Sequence, residues 1–264
     1  MLADKRREII LQALALEGHV QTASLAQKLQ VADETIRRDI RMLSRQRMLR
    51  KVHRGATAIP QLQSEQPYEQ RGRENTSAKR RIGECAAGLI MDGEIIAIDG
   101  GDACEWMARS LKGLKGLTVV TNSLRVGGII LDKLRDREIS GRLMILGGET
   151  EPHNRIAAGS FCAEMIGQFR FNRAFLGVSA LGAQGPMVWN MEEGAAEAAF
   201  ARQAQQTILL TESVKSRRSS LYEFMEYADV QMLITDTACP FGAGLKDALT
   251  RACVEIRYVA AEDE

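Results

Sequence analysis

Residues 31–57 read VADETIRRDIRMLSRQRMLRKVHRGAT, a stretch that separates into a helix and a hairpin. With Ile36 as reference and 100° per residue, Ile40 and Leu43 fall within about 40° of it and form one apolar stripe. Arg37, Arg38, Arg41 and Arg45 fall on the opposite arc. Such a helix packs on one side and offers guanidinium groups on the other. Guanidinium pairs with phosphate and bonds bidentately to guanine O6 and N7, so the exposed arc suits nucleic acid. The helix is predicted from Asp33 to about Arg47. Ala32 has no side-chain acceptor, which leaves Asp33 as the candidate cap. From Met48 to Ile59 the pattern alternates around Arg54-Gly55, as in a small β-hairpin. Arg50, Lys51, His53 and Arg54 are expected at its tip; His53 reads equally as a phosphate contact or a neutral turn residue.

Upstream, residues 4–16 have helical spacing, with Ile9, Ala13 and Leu16 on one stripe and Ile10 and Leu14 beside it. Gly18 breaks that helix and Val20 suits a very short strand. Thr22 is placed to cap a second helix reaching about Leu29 and burying Leu25, Ala26 and Leu29. A turn at Gln30-Val31-Ala32 leads into the arginine helix. Helix, helix, turn, helix, hairpin is the order of a winged helix-turn-helix. In a major groove, the start of its third helix would bring Asp33, Glu34, Thr35 and Arg38 nearest the base edges, with Thr22, Arg37 and Arg41 around them. Lys51, His53 and Arg54 of the wing would meet the backbone or minor groove.

Charge divides the chain in the same place. Residues 1–57 hold 12 Lys+Arg against 6 Asp+Glu, a net of +6, and the remainder holds 23 against 28, a net of −5. A basic block joined to a mildly acidic body suggests a polyanion-binding head and a separate task for the rest. No run approaches the ~18 apolar residues of a membrane span. The charged start MLADKRREII lacks the apolar core of an export signal. Cys85, Cys104, Cys162, Cys239 and Cys253 are odd in number and form no Cys-x-x-Cys pair, so reduced cysteines and a cytoplasmic location are expected.

Residues 58–74, AIPQLQSEQPYEQRGRE, are polar with two prolines and read as a linker between a head at 1–57 and a body at 75–264. In the body, helices are expected at 76–91, 103–112, 124–134 and 191–205. The short apolar runs EIIAID (94–99), LTVVTN (117–122), RLMILGG (142–148), FNRAFLGVS (171–179), TILLTE (207–212), VQMLITD (230–236) and VEIRYV (254–259) read as strands. Strands separated by amphipathic helices imply an α/β domain with a mostly parallel sheet. In such sheets ligands sit outside the carboxyl ends of the strands. Asp99-Gly100-Gly101-Asp102, Thr121-Asn122-Ser123, Gly147-Gly148 and Glu212 through Lys215 occupy those positions. Glycines let backbone amides approach a ligand, Asn and Thr supply hydrogen bonds, and Lys215 offers a charge for an anion. Glycines and polar residues also end strands without any ligand, so no one of these loops decides the matter.

The 31–57 stretch resembles the DeoR family of bacterial regulators. Thr35 to Asp39 match its Thr-Ile-Arg-Arg-Asp motif, and Ile40 replaces a leucine conservatively. Lys51, His53, Gly55 and Ala56 match its wing. Two positions depart: Ala32 stands where the family has Ser, and Arg54 where it has Gly, a position that requires a positive φ. The resemblance continues in order through PYEQR (67–71), Lys79, IIAIDGG (95–101), VVTNSL (119–124), MILGGE (144–149), FNRAFLGVSAL (171–181), LLTESVK (209–215) and LITD (233–236). It implies a DNA-binding regulator, by analogy a repressor of carbohydrate catabolism, and a homodimer or homotetramer on repeated half-sites. It also implies a C-terminal domain folded like ribose-phosphate isomerases and CoA transferases, sensing a sugar-related, often phosphorylated, metabolite.

Two loops depart from the family's phosphate-suited pattern. Gly101 is followed by Asp102-Ala103 instead of hydroxyl residues, and the later loop reads Glu212-Ser213-Val214-Lys215. A carboxylate at Asp102 repels a phosphate unless a cation such as Lys215 offsets it. A free sugar, a polyol or an amine-bearing metabolite is therefore a candidate effector, and a phosphosugar whose phosphate is held elsewhere is equally one, with Glu193 among the residues expected at the site. The alternative is a sugar-phosphate isomerase-like enzyme carrying a DNA-binding head, with Asp99, Asp102, Glu105, Glu193 and Lys215 as proton-moving groups. It is disfavoured: His19, His53 and His153 are scattered, and GxSxG, Walker A and GxGxxG patterns are absent. No enzyme activity, cofactor or metal is expected.

Overall fold

The structure, a computed structural model, describes residues 3–17, 19–46, 48–57, 72, 74–151 and 154–260. The break at Gly18, nearly all of the 58–74 linker, His153 and the side chain of Leu16 lie outside those residues. The chain divides into two compact units, residues 1–61 and 62–264.

The first unit contains α1 (Ala3–Glu17), β1 (His19–Gln21), α2 (Thr22–Leu29), α3 (Asp33–Arg45), β2 (Arg50–Val52) and β3 (Gly55–Thr57). Its antiparallel sheet has the order β1-β3-β2, with Val20 opposite Ala56 and Lys51 opposite Ala56 on the other side. Ile10 and Leu14 of α1, Leu25 of α2, and Ile36, Ile40 and Leu43 of α3 close one apolar core. Each such aliphatic side chain contributes about 1.5–3 kcal/mol on burial. On α1 the buried stripe runs through Ile10, Ala13 and Leu14, while Ile9 is half-buried. The two expected caps are corrected. Thr22 is the first residue of α2, not its cap, and the cap positions of α2 and α3 are Gln21 and Ala32, without side-chain bonds. Asp33 sits inside the first turn of α3, where with Glu34 it faces the positive end of the helix dipole.

The second unit is built on seven parallel strands: β4 (Ile95–Ile98), β5 (Leu117–Thr121), β6 (Gly141–Ile145), β9 (Phe171–Leu176), β12 (Ala204–Leu210), β14 (Met232–Asp236) and β15 (Glu255–Val259). Each arises from one of the seven apolar runs. The interleaved short strands are β7 (Glu149–Glu151), β8 (Ile156–Ala158), β10 (Ala180–Leu181), β11 (Pro186–Val188) and β13 (Tyr222–Glu223). The order is β15-β14-β12-β9-β4-β5-β6, with every neighbouring pair parallel. The chain starts in the middle at β4, runs out to β6, returns beside β4 as β9, and runs out the other way. The order therefore reverses between β4 and β9.

Among the described residues six helices cover the sheet: α4 (Thr76–Ala87), α5 (Asp102–Ser110), α6 (Leu124–Arg135), α7 (Ser160–Gly167), α8 (Met191–Gln203) and α9 (Ala243–Arg251). Ile96 and Ile98 pack with Ile82, Met107 and Ile130 on one face, and Ala97 packs with Cys162, Phe200 and Leu249 on the other. Burial on both faces is why the inner strands read as unbroken apolar runs, whereas the edge strands β6 and β15 are mostly exposed or half-buried. α4 ends at Ala87 rather than 91. The β7–β8 hairpin, α7, α9 and the small β10-β11-β13 sheet have no counterpart in the sequence reading.

Candidate nucleic-acid interface and small-molecule cavity

The stripe that buries Ile36, Ile40 and Leu43 leaves Arg37, Arg38, Arg41 and Arg45 exposed on the far side of α3. Asp33 and Glu34 are exposed beside them, and Thr35 is half-buried. Glu34 ion-pairs with Arg41 and lies 3.9 Å from Arg37, so a single carboxylate tempers two of the four cations. Lys51, His53 and Arg54 are exposed on the hairpin. Only His53 and Arg54 form the turn, whereas Arg50 lies at the opposite end of the hairpin, paired with Thr57. Thr22 is placed differently from the rest. It is 5% exposed, and its backbone N–H donates to the Arg54 carbonyl at 2.9 Å, holding the wing turn from inside.

Arg54 adopts φ 65°, the left-handed conformation that its position requires. A non-glycine residue there is strained by about 1–2 kcal/mol, and glycine adds chain entropy of about 0.5–1 kcal/mol. Arg54→Gly is therefore expected to leave head stability equal or up to about 1 kcal/mol higher, while removing one phosphate-seeking charge. Thermal unfolding and the salt dependence of DNA binding would read the two effects separately. A clear loss of stability would contradict the strain argument.

In the second unit, the loops leaving β4 and β9 meet where the strand order reverses, the crevice at which open α/β sheets bind ligands. Their approach depends on glycine: a Cβ on Gly101 would lie 3.1 Å from the Gly177 Cα. The Asp99 carboxylate accepts the Gly177 N–H at 3.1 Å and ties the loops together. Around them is a cavity of about 40 Å³. Asp99, Gly100, Gly101, Asp102, Glu193 and Lys215, six of the residues proposed from sequence, line it. Gly177, Val178 and Ser179 after β9, Asn154 and Ile156 beside the β7–β8 hairpin, Glu197 of α8 and Glu212 complete the polar wall.

The remaining expected residues are committed elsewhere. Thr121 accepts the Ser123 N–H, Ser123 caps α6 by accepting the Val126 N–H, and the Asn122 amide donates to the Ala157 carbonyl. Gly147 and Gly148 are exposed and are not among the lining residues. Glu105, a possible proton-moving group, instead faces Arg125 at 3.7 Å.

Charge in the cavity is arranged in a chain. Lys79 of α4, 1% exposed, lies 2.9 Å from Asp102 and 3.7 Å from Glu212. Lys215 lies 3.3 Å from Glu212 and donates to the Val178 carbonyl at 2.8 Å. Burial alone would raise the Glu212 carboxyl, but Lys215 and Lys79 outweigh it and hold it below its ordinary value. Both ammonium groups are thus engaged with protein oxygens. Asp99, Glu193 and Glu197 add three more carboxylates to the lining, with Glu193 receiving the Asn154 amide at 3.0 Å. Burial, and then the charge of Asp99, also raise the nearby thiols of Cys104 and Cys162, the latter to about 11. These cysteines stay protonated in a negative potential and are not nucleophiles at neutral pH. Lys79 and residues 177–179 fall within the family resemblance but carry no mark for this site in the sequence, 177–179 reading as the end of the 171–179 strand, and Asn154 and Glu197 carry none at all.

Residues 6–61 match the family model described as the DeoR-like helix-turn-helix domain, and residues 74–237 match the DeoR C terminal sensor domain. The chain is 29% identical over 265 residues to the HTH-type transcriptional repressor GlcR of Bacillus subtilis (strain 168), covering 100% of this chain and 99% of that protein. It is 27% identical over 241 residues to the glycerol-3-phosphate regulon repressor of Escherichia coli (strain K12), covering 91% and 93%. A solved structure, ribose 5-phosphate isomerase A from Methanocaldococcus jannaschii, aligns over 54% of this chain and 55% of its own with 16% identity and a TM-score of 0.36.

Proposed function

Because the chain belongs to the DeoR family of transcriptional regulators, we propose that it represses a carbohydrate catabolic operon under the control of a sugar-related metabolite. The division of labour is a DNA-binding head at 1–57, a linker at 58–74 and a sensor at 75–264, working in the cytoplasm. The observation that carries the reading is the exposed arginine face of α3 opposite its buried stripe. Relatives named as repressors, one of a glycerol-3-phosphate regulon, support repression and a carbohydrate-related regulon. One small head has limited affinity, so a homodimer or homotetramer on repeated half-sites completes the proposal.

Duplex DNA from upstream of the protein's own gene is expected to shift in a gel, with binding that weakens steeply as salt rises, because phosphate contacts release counterions. Arg38→Ala is expected to weaken specific binding by about 1–3 kcal/mol if it reads a base edge. Salt-insensitive binding, or none, would overturn the assignment of the head.

The effector is proposed to enter the cavity between the β4 and β9 loops, and to be an uncharged or amine-bearing sugar rather than a phosphosugar. At the start of α5, where helix amides attract anions, the protein already places the Asp102 carboxylate. Its cations are engaged with Asp102, Glu212 and Val178. A cavity of about 40 Å³ holds roughly three waters, and a sugar is proposed to widen it by moving Asn154 and Ile156, two of the lining residues that lie outside the seven-stranded sheet. That displacement is the second state on which ligand control depends: an effector shifts DNA affinity only through unequal affinity for two conformations. Calorimetry with a hexose, its 2-amino form and its 6-phosphate is expected to rank the phosphate weakest. Tight phosphosugar binding that survives Asp102→Ala but is lost in Lys215→Ala would reverse the proposal.

A further inference from the structure

Among the described residues of α3, Asp39 is the acidic side chain turned inward: it is 2% exposed, whereas Asp33 and Glu34 face solvent. Its carboxylate receives the Nε–H groups of two consecutive residues of α1, Arg6 and, at 3.2 Å, Arg7. Consecutive residues on a helix diverge by about 100°, so both can converge on one point only if the acceptor offers several lone-pair sites. A carboxylate does; an amide or hydroxyl offers fewer. The two arginines keep 11% and 23% of their side chains exposed, and they line one open cleft with Arg38, Arg41 and Arg45 of α3. Five guanidinium groups on one cleft repel each other, with Asp39 and Glu34 as the carboxylates bonded to members of the set. Such a surface is best satisfied by a polyanion.

We infer that Asp39 is a positioning residue for DNA binding, holding Arg6 and Arg7 beside α3 so that they contact backbone phosphates flanking the groove that α3 enters. This rests on the reading of α3 as the DNA-contacting helix. It extends the interface to α1, and it reverses the sign expected of an acidic residue near DNA. By charge alone, Asp39→Asn removes a negative group close to phosphate and tightens binding. As a positioning residue, its loss releases two arginines and weakens binding.

The test uses the full-length protein and duplex DNA from upstream of its own gene, with affinity measured by fluorescence anisotropy from 50 to 200 mM salt and unfolding followed in parallel. Asp39→Asn is expected to bind at least five-fold more weakly than wild type, and Asp39→Glu to recover part of that loss. Arg7→Ala is expected to make the slope of log affinity against log salt shallower by about 1, which a purely structural role would not do. If Asp39→Asn fails to fold, the Arg7→Ala slope decides alone. Tighter binding by folded Asp39→Asn, or an unchanged slope in Arg7→Ala, overturns the inference. Should Arg38→Ala weaken binding while Arg7→Ala keeps the wild-type slope, the head assignment stands and this inference falls; a wild type without salt-sensitive binding removes both.

Discussion

Lys79→Met is expected to destabilise the C-terminal unit by about 3–5 kcal/mol, the usual effect of deleting one partner from a buried ion pair. The lysine is 1% exposed and stands between Asp102 and Glu212. Methionine fills much of its volume but leaves both carboxylates buried without the ammonium that bridges them, Lys215 being 3.3 Å from Glu212. The dependence on pH should change as well. In the wild type Glu212 is held below its ordinary carboxyl value. Its contribution is therefore present above the unfolded pKa, about 4.3, and is lost as pH falls through the lower folded value. Without Lys79 one of the two cations that oppose burial is lost, so that carboxyl rises and its protonation costs the variant less as pH falls. Denaturant unfolding at pH 7 and pH 5.5 should show the gap between the two proteins narrowing. A gap below about 1 kcal/mol at pH 7, or one that widens in acid, would show that the charge chain does not stabilise the domain.

Gly55→Val is expected to abolish operator binding with every arginine of the head still in place. A Cβ at this position would stand 2.0 Å from the backbone carbonyl oxygen of Val20, which cannot move without separating β3 from β1. Overpacking of this kind destabilises by about 1–3 kcal/mol or more. At roughly 0.05–0.15 kcal/mol per residue, a 57-residue head has only about 3–8 kcal/mol in total. The neighbouring Ala56, fully buried, is drawn out with the wing. Hydrogen exchange at Val20 and Gln21 should accelerate as the gel shift disappears. Normal DNA affinity in this variant would mean that the wing contributes nothing to the interface.

The inner strands β4, β5, β9, β12 and β14 were legible because burial makes them apolar runs, and the edge strands β6 and β15 were legible as apolar runs although they are mostly exposed or half-buried. The third head helix was legible because Ile36, Ile40 and Leu43 repeat at helical spacing. Shorter elements gave no such signal: β7, β8, β10, β11 and β13 are two or three residues long, too short for a period to emerge. The small-molecule site was half legible for a different reason. Sequence shows which loops end strands but not which strands are neighbours. The reversal between β4 and β9 makes the loops at 99–102 and 177–179 face each other, while Thr121–Ser123 and Gly147–Gly148 follow strands one and two places away. Lys79 was visible in the resemblance but not as a buried charge, because lysine is ordinarily a solvated residue, and only the fold brings Asp102 and Glu212 to it. Asp39 was visible as part of a motif, yet its inward turn depends on arginines more than thirty positions earlier.

The closeness of the β4 and β9 loops also bears on time. If, as proposed, an effector enters this pocket by displacing Asn154 and Ile156, it is not captured at the rate at which it collides with the protein. The observed rate of effector capture would level off as concentration rises, at a ceiling set by how often Asn154 and Ile156 draw back. The same walls would delay departure, so the regulator would average over brief fluctuations in its metabolite and respond to sustained change.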